Sequence, residues 1–490
     1  MAASLRLGLV ALTLATLLGG AAEASPLEDP ALTRGVFAGP TLPHATSVWL
    51  NPAALGLAGA GWHLFVGATT RLDHDLIDRS QIDLDTGALT PGAKVRSLTA
   101  TPGGFLAAWW KSNNAALGLA SFLPQAERFI TDQEALRYHT LGGFHYQWTV
   151  LALSVAFHWN KFWFGLGVGL GNMHTLRLEF ARDTALEAGT AGIEADCGGV
   201  PCGVENEAAA QRYRVDVSSG GSLRPWRLGF WGALFSSENL SLDAGIVWQP
   251  NDDWVVALSY QGSVGLFGSS RRLDGTVRVE TSPLEGGLIR HGQAEVGYNL
   301  PETFHLAARM RLPGHRQWEL VTGLRMQTFF THDNLDLRMF GSELVGHDIP
   351  EQYPLYRGFR TVLRLEAGVE RSPAARVRLG ARLFLERGAV TDRGEQPMAI
   401  AGNDVGLSGG LEWRVAAPLV LGIGYSFTWF PTVDVTNSAF DPRDRIACVD
   451  SGYDLEQCQA VREGRARPTA AGSYLRLQHA FMVSARWDFL

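Results

Sequence analysis

Apolar and polar residues alternate with a period of two along most of the chain from Trp62 onward. Such alternation places one set of residues on each face of a β-strand. In the last segment, for example, Phe481, Val483 and Trp487 share one face, whereas Ser484 belongs to the other. Several segments are long enough for a tilted strand to cross a bilayer. The pattern therefore predicts an all-β protein, a transmembrane antiparallel β-barrel of about 14 strands, because bacterial barrels have even strand numbers.

The connections between the predicted strands fall into two classes. Tight turns are predicted at Asn113-Asn114, Asn160-Lys161, 250–253, 313–315 and Ser372-Pro373. Long polar loops are predicted over 181–225, 269–291, 341–358 and 436–472, and uninterrupted strands over 292–312 and 317–340. Short periplasmic turns that alternate with long extracellular loops are typical of outer-membrane barrels. We therefore expect the chain in the outer membrane of a Gram-negative cell.

The first 24 residues have the layout of a secretory signal peptide. Arg6 precedes an apolar stretch over 7–18, and Ala22-Glu23-Ala24 stands before Ser25. An uncleaved N-terminal anchor is the alternative, but the apolar stretch is shorter than the ~20 residues of a spanning helix. No later apolar stretch approaches the ~18 residues that such a helix needs, which excludes a helical inner-membrane protein.

The next segment, residues 25–61, does not alternate and contains several prolines and many small residues. It forms either a disordered tail or a plug inside the barrel, and its apolar content favours the plug. The predicted organisation is therefore a signal peptide over 1–24, an N-terminal hatch over 25–61 and a barrel over 62–490.

Charge and cysteine content narrow the possible partners. The net charge is -7 and the arginines are dispersed, which argues against nucleic acid. The cysteines form two close pairs, Cys197 with Cys202 and Cys448 with Cys458, and in a secreted chain this spacing indicates two loop disulfides. Pairing between the two loops is an open alternative, and a zinc site is disfavoured because no histidine is adjacent. We expect no metal and no cofactor.

The segment before the first predicted strand carries a motif. A stretch with two glycines over 35–39 leads to Asn51-Pro52-Ala53, and Asn299-Leu300-Pro301-Glu302 precedes a strand in the middle of the chain. In these motifs and in its strand layout the chain resembles the FadL family of outer-membrane long-chain fatty-acid and aromatic-hydrocarbon transporters. In that family, a hatch ending in Asn-Pro-Ala closes the barrel.

The resemblance implies a hydrophobic ligand path and lateral release into the membrane through a gap at a kinked third strand. It assigns the hatch geometry and gating to Asn51, Pro52 and Ala53. It assigns the kink to Pro124, because proline removes a donor from the strand ladder. The alternative is that Pro124 simply ends a strand at a loop.

Two features depart from the family's pattern. Pro43 and His44 stand where many relatives carry acidic residues, so the contacts of the hatch are expected to differ. The chain ends on Leu490, one residue after the aromatic residue on which outer-membrane barrels commonly end.

Arginines on the predicted lumenal faces supply candidates for ligand binding. An arginine fork can hold a carboxylate through two hydrogen bonds. The ligand-binding candidates are Arg309, Arg325, Arg364 and Arg378, and Arg311, Arg376 and Arg382 are predicted on the same faces together with Glu319, Glu366 and Glu370. Because acidic residues share these faces, structural ion pairs are the alternative.

One predicted strand presents almost no side chains on one face. Gly165, Gly167, Gly169 and Gly171 alternate there with apolar residues. If the apolar set faces lipid, the glycines leave room in the lumen for a hatch or a ligand groove. The alternative is that they only accommodate the curvature of the sheet.

The favoured function is transport without chemistry. The stretch 406–410 matches the hydrolase motif G-x-S-x-G, but it lies within a predicted strand and no helix follows, so we expect no enzymatic activity. We expect a monomer in outer-membrane lipid that binds hydrophobic small molecules, first of all long-chain fatty acids, in an apolar pocket and releases them laterally when the hatch moves. A general diffusion porin and a non-transporting surface-binding barrel are the alternatives.

Overall fold

The computed structural model describes residues 35–82, 88–129, 142–183, 210–219, 239–263, 271–329, 334–357, 359–397, 400–438 and 470–489. Nineteen strands within these ranges form one antiparallel sheet. The first ten are β1 Gly61–Ile82, β2 Leu89–Lys111, β3 Ala115–Phe129, β4 Gly142–Trp159, β5 Phe162–Asp183, β6 Ala210–Ser218, β7 Ser241–Asn251, β8 Trp254–Gln261, β9 Arg271–Glu280 and β10 Ile289–Tyr298. The others are β11 Thr303–Leu312, β12 His315–Gln327, β13 Asn334–Phe340, β14 Gln352–Tyr356, β15 Val362–Ala374, β16 Val377–Arg387, β17 Asp404–Arg414, β18 Leu419–Val435 and β19 Gly472–Phe489.

Helical segments are short in the described part of the chain. The α-helix α1 covers Ser47–Leu50, and 3-10 helices cover Pro52–Leu57, Pro283–Glu285 and Asp392–Gly394. None of the helices in these ranges is long and apolar enough to cross a membrane.

Fourteen of the strands close into a ring, and the sequence prediction of such a barrel is confirmed. The ring runs through β1 to β5, β7, β8, β11, β12 and β15 to β19, and it closes where β19 pairs with β1, with Trp62 opposite Phe489. Each strand of the ring thus has two paired neighbours, and such closure is what allows a sheet to cross lipid. The short turns at 112–114, 160–161, 252–253, 313–314, 375–376 and 415–418 lie at the rim where β1 begins, here called the short-turn rim.

The outer face of the ring is apolar. On β1, Trp62, Leu64 and Val66 are exposed, and the intervening His63 and Phe65 are buried towards the lumen. The same alternation exposes large apolar side chains on other strands, among them Leu117, Leu119, Leu166, Leu258, Leu306, Leu365, Leu383, Leu407, Ile423, Phe481 and Val483. A continuous apolar belt around a closed ring is the surface of a transmembrane β-barrel.

Beyond the ring, a second part of the sheet stands at the opposite rim. The far half of β5 pairs with β6, and the sheet continues through β9, β10 and β13 to β14. This extension is rolled, because Tyr353 of the edge strand β14 stacks on Phe180 of β5 with ring centroids 5.5 Å apart. The roll encloses an apolar core that includes Tyr213, Val215 and Leu337. We call these strands the rolled sheet.

Three of the predicted long loops are wrong, because each contains strands of the rolled sheet. Strand β6 lies within 181–225, β9 and the start of β10 within 269–291, and β14 within 341–358. Their outward faces are charged, as in the ion pair between Arg177 and Asp216 at 2.5 Å, so the segments resemble polar loops in composition. Their inward faces nevertheless alternate with a period of two, and that apolar set forms the core of the roll.

Several predicted boundaries are also wrong. The predicted strand over 292–312 is broken between β10 and β11, and that over 317–340 is broken between β12 and β13, because one member of each pair belongs to the rolled sheet and the other to the ring. The turn predicted at Ser372-Pro373 lies at 375–376, since β15 continues to Ala374. The predicted signal peptide over 1–24 and the cysteines of the predicted disulfides, Cys197, Cys202, Cys448 and Cys458, lie outside the described residues.

Candidate functional site: the hatch in the lumen

Residues 35–60 lie inside the barrel and are called the hatch. Asn51 fixes its central turn, because its side-chain oxygen accepts a hydrogen bond from the Ala53 N–H at 3.1 Å and its amide donates to the Pro40 carbonyl at 2.8 Å. Asn51 thereby caps the 3-10 helix that begins at Pro52, where a missing N–H leaves no donor unsatisfied. All three motif residues are buried. The motif thus joins α1 to the 3-10 helix and ties this turn to Pro40.

The hatch packs on one half of the lumen through small and apolar side chains. Val48, Ala54 and Leu55 belong to one cluster with wall residues Phe105, Phe122, Ala152 and Trp163, among others. Glycines of the wall make this close approach possible. A Cβ atom added to Gly165 would lie 2.1 Å from the Ala53 nitrogen, and one added to Gly245 would lie 1.8 Å from Asn51 Oδ1.

Of the alternating glycines on β5, only some make room for the hatch. Gly165 contacts Ala53 and Gly167 faces Pro52, whereas the neighbours of Gly169 are Ser241 and Asn172. Gly171 has a positive φ of 61°, a conformation that glycine adopts without strain. The first two positions make room for the hatch, and the last serves the local course of the backbone.

Two wall side chains bind the hatch through its backbone from different sides of the barrel. Gln261 on β8 donates to the Trp49 carbonyl at 3.2 Å, and Arg382 on β16 donates to the Ala38 carbonyl at 2.7 Å. Arg378 also lies over the Phe37 ring, 4.8 Å from its centroid. Backbone carbonyl groups occur at every residue and the ring face of Phe37 is not specific to one partner. The sequence therefore carries no motif that predicts these contacts.

His44 is the titratable group of the hatch. Its Nδ1 accepts a hydrogen bond from the Thr46 N–H at 3.3 Å, which requires the neutral ring. Burial, together with the charges of Arg486, Arg378 and Arg382, lowers the pKa of His44 from 6.5 to about 3. The packed hatch therefore holds an uncharged histidine at neutral pH.

The other half of the lumen is charged. The arginines predicted as ligand-binding candidates lie there, and most of them pair with carboxylates. Arg364 pairs with Glu386, and Arg378 pairs with Glu370. Arg309 lies 3.4 Å from Glu319. Arg325 is buried beside Arg364 and His305 in a crevice against the hatch. The arrangement is a lattice of ion pairs along one wall.

Not every predicted lumenal arginine reaches that lattice. Arg382 does, with contacts to Glu366 and Glu370. Arg311 pairs with Glu319 at 2.8 Å but is 44% exposed at the short-turn rim. The prediction that Arg376 faces the lumen is wrong, because this residue is exposed in the turn between β15 and β16. The alternation of apolar and polar residues predicts the orientation of a side chain within a strand, but not in a turn beyond the end of the strand.

Pro124 lies where the third strand parts from the second. The β2–β3 ladder ends at the pair of Phe105 with Phe122, and beyond it no described β3 residue pairs with β2. The β3–β4 ladder also shifts register between Phe122 and Gln125. A side chain bridges the opening, since Arg128 donates to the Ala100 carbonyl at 3.1 Å. The wall therefore has a lateral gap in its backbone hydrogen bonding.

Aromatic rings line the lumenal side of this gap. Trp49 of the hatch lies 5.3 Å from Phe122, and Phe122 stacks on Phe105 at 4.8 Å. Phe65 follows at 6.3 Å from Phe105 and contacts His44 at 4.8 Å. The hatch and the edge of the gap are thus joined by a continuous aromatic contact.

Two of the crevices between the hatch and the wall are small. One beside Arg325 and Arg364 holds about 20 Å³, and one beside Pro124 and Trp49 holds about 40 Å³. The second is lined largely by amides and hydroxyls, such as Gln147. Neither has room for a fatty-acid chain while the hatch is in this position.

The hydrolase-like motif has no catalytic setting. Residues 406–410 lie in the middle of β17, and Ser408 points into the barrel and is buried. A nucleophile elbow requires a sharp turn from a strand into a helix. No metal-binding group of three or more histidine, cysteine or acidic side chains occurs among the described residues.

A closed antiparallel ring with an apolar belt and a filled lumen defines an outer-membrane β-barrel with an internal hatch. Solved structures share this fold. A FadL homologue from Pseudomonas aeruginosa matches with a TM-score of 0.70 and 14% identity over 96% of this chain and 100% of that one. The toluene transporter TodX from Pseudomonas putida matches with 0.59 and 12% over 96% of both chains. The toluene transporter TbuX from Ralstonia pickettii matches with 0.57 and 13% over 94% and 98%.

The chain therefore has the fold of the FadL-type barrels, and the resemblance inferred from the sequence is confirmed at the level of the fold. No protein-family profile matches the chain, and no curated protein sequence does.

Proposed function

We propose that this barrel passes hydrophobic small molecules through the outer membrane, with long-chain fatty acids as the first candidates. The carrying observation is the hatch, which packs in the apolar half of the lumen against a wall that is shaped for it. A diffusion porin needs an open lumen, whereas a plugged barrel suits selective passage. The protein acts as a monomer that binds its cargo without changing it.

The route follows the lateral gap. Cargo enters from the rim of the rolled sheet, displaces the hatch near Trp49 and leaves through the opening beside Pro124 into the lipid. The aromatic side chains at the gap supply an apolar surface. Among the described residues, β3 beyond Phe122 has no ladder with β2, and the Arg128 side chain that bridges the opening would have to be displaced. Asn51, Pro52 and Ala53 set the position of the hatch from which this movement starts.

Monoaromatic hydrocarbons are the second candidate cargo. The contacts among Trp49, Phe122 and Phe105 favour them, and TodX and TbuX are toluene transporters by description. Fatty acids instead need a partner for the carboxylate. Arg309, Arg325, Arg364 and Arg378 are the candidates, and a carboxylate would have to exchange with an acidic partner such as Glu319 or Glu370.

Uptake by cells that lack their own hydrophobic transporters tests the proposal. Radiolabelled oleate, toluene and a disaccharide of similar mass are compared in cells with and without the chain. We expect faster uptake of oleate or toluene and no change for the disaccharide. Uptake of the disaccharide alone would establish a porin, and no uptake of any of the three would leave the surface-binding alternative.

Pro124→Ala tests the gap. Alanine restores a backbone donor, and one added ladder bond stabilises the closed gap by about 1 kcal/mol. Hydrophobic uptake is then expected to slow roughly fivefold, with Pro373→Ala, an exposed proline next to a turn, as the control. Equal rates of hydrophobic uptake in both variants would show that Pro124 does not contribute to lateral release.

A further inference from the structure

A group of basic side chains lies on the outer face of the barrel beside the lateral gap. Lys94 and Arg96 stand on β2 and Arg128 stands on β3, and all three side chains are exposed. Lys94 and Arg96 share the outward face of β2 with the exposed residues Leu98 and Leu106. Lys94, Arg96 and Arg128 are called the basic patch.

Arg128 joins the basic patch from across the gap. It lies opposite Phe144 in the β3–β4 ladder, and its Nη1 donates to the Ala100 carbonyl of β2 at 3.1 Å. Along β2, Arg96 is four residues from Ala100, which corresponds to about 13 Å. The basic patch therefore has two charged centres, Lys94 with Arg96 and Arg128 alone, separated by roughly this distance.

The basic patch lies at the level of the lipid headgroups. Trp110 marks the periplasmic edge of the apolar belt, because it precedes a short turn and its ring lies 6.4 Å from that of Trp62. With about 3.3 Å per residue and a tilt of about 40°, β2 rises by roughly 25 Å from Trp110 to Ala100 and by roughly 35 Å from Trp110 to Arg96. The apolar belt of such barrels is about 25 Å tall. Arg128 therefore lies at its outer edge, and Arg96 lies about 10 Å beyond it, in the headgroup layer of the outer leaflet.

The basic patch carries an excess of positive charge. Asp78 Oδ2 lies 3.5 Å from Lys94 Nζ, and its Oδ1 lies 2.8 Å from Arg96 Nη1. Within the part of the chain whose side chains are described, no other carboxylate pairs with these two residues and none pairs with Arg128. Three cationic groups beside one carboxylate leave two positive charges at the headgroup level.

Apolar side chains lie next to these charges. Leu98, between the two charged centres, is 69% exposed. On the neighbouring strand β4, Phe144 and Tyr146 stack with ring centroids 5.1 Å apart. Positive charges and apolar surface side by side suit a membrane lipid rather than a dissolved ion.

We propose that the basic patch binds a phosphorylated glycolipid of the outer leaflet, with one phosphate at Lys94 and Arg96 and a second at Arg128. Guanidinium groups bind phosphate through paired hydrogen bonds, and basic sites at the membrane surface bind anionic headgroups. The separation of the two charged centres is comparable with that of two phosphates at opposite ends of a disaccharide. The site faces the membrane and not the lumen, so it does not depend on which cargo crosses the barrel.

Native mass spectrometry of the purified full-length barrel tests the site. Diphosphoryl lipid A, monophosphoryl lipid A and zwitterionic phosphatidylethanolamine are titrated in a neutral detergent with EDTA, which removes divalent cations that would bridge a phosphate to Asp78. We expect the barrel to retain diphosphoryl lipid A at the lowest concentration, the monophosphoryl form about fivefold less tightly, and phosphatidylethanolamine least. Equal retention of the three lipids would overturn the proposal, because the surface would then bind acyl chains only.

Charge variants separate headgroup binding from a structural effect. Arg96→Gln and Arg128→Gln are each expected to weaken retention of diphosphoryl lipid A about fivefold, and Asp78→Asn to strengthen it by a similar factor because it removes a competing anion. Arg316→Gln, an exposed arginine near the short-turn rim, is the matched control and should behave like the parent. Heat-dependent gel mobility verifies that each variant is folded.

Three further results would reject the assignment. The first is unchanged retention of diphosphoryl lipid A in both arginine variants. The second is displacement of the lipid by inorganic phosphate at concentrations equal to that of the lipid, because the site would then be one for free phosphate. The third is retention that needs Mg²⁺ and disappears with EDTA, because a cation held by Asp78 would then bind the headgroup.

Discussion

Asn51 is the residue on which the packed form of the hatch depends most directly. Asn51→Ala removes the cap of the 3-10 helix and the bond to the Pro40 carbonyl. The two losses together destabilise the packed hatch by about 2 kcal/mol and raise its released fraction roughly thirtyfold. Ion conductance in planar bilayers is expected to show more frequent openings. Asn113→Ala, at an exposed turn, should behave like the parent, and an equal effect of both variants would contradict this role.

His44 makes the hatch sensitive to acid. The pKa of His44 is about 3 in the packed hatch and returns towards 6.5 on release, so the released form binds more protons between these values. Above pH 6.5 His44 is neutral in both forms, and the packed hatch keeps its full stability. As the pH falls below 6.5, the packed hatch loses stability relative to the released form, by about 2 kcal/mol at pH 5. Channel openings should therefore be more frequent at pH 5 than at pH 7.5. His44→Asn keeps an acceptor for the Thr46 N–H and cannot titrate, so a pH response that persists in this variant would exclude His44 as its source.

Among elements, the rolled sheet is a unit with its own core. Within the described residues, its strands pair with the ring where β6 meets β5, and the chain passes between the two parts from β10 to β11 and from β12 to β13. Its apolar side chains pack on one another. Its outer face carries cross-strand ion pairs, which contribute little to stability when they are exposed. The stability of this part of the molecule therefore rests on the enclosed apolar residues.

Leu337→Ala tests this independence. The side chain is 1% exposed, and its truncation should destabilise the rolled sheet by about 2–5 kcal/mol. Limited proteolysis on intact cells is expected to cut the rolled sheet faster, while the heat-dependent gel mobility of the barrel stays unchanged. Leu284→Ala, at an exposed position, is the control. Loss of the barrel itself would show that the two parts fold as one unit.

At the scale of the whole molecule, the lumen has two unlike halves. The half formed by β2 to β5 and β7 is apolar and glycine-rich and receives the hatch, and the half formed by β11, β12 and β15 to β17 carries the ion-pair lattice. The hatch lies between them and contacts both. Its removal should open a wide polar pore.

Deletion of residues 25–55 tests this arrangement. A barrel of fourteen strands is wide enough to conduct when it is not filled, so conductance is expected to rise to that of an open pore. The gel mobility of the variant should remain that of a folded barrel. Conductance equal to that of the parent chain would instead mean that the hatch does not block the lumen, as in the porin alternative.

The sequence by itself determined that the chain forms a β-barrel of about fourteen strands and which face of many strands is turned to the lipid. Alternation with a period of two needs only local information, and it correctly placed residues such as Phe481 and Val483 on the lipid side and Arg325 and Arg364 in the lumen. The hatch was predicted from the composition of residues 25–61 and from the family resemblance of Asn51-Pro52-Ala53. The structure adds that the cap and the proline of this motif act within a few residues.

Only the tertiary structure decided which strands belong to the ring and what each lumenal residue contacts. Strands β6, β9 and β10 alternate like the others, but β6 pairs with β9 and β10 pairs with β13, which lie far away along the chain. Pairing across such distances leaves no local mark in the sequence. The contacts of Arg382 with Ala38 and of Gly245 with Asn51 have the same origin. Local patterns fix which face of a strand a residue occupies, whereas the closure of the barrel around the hatch fixes its neighbours.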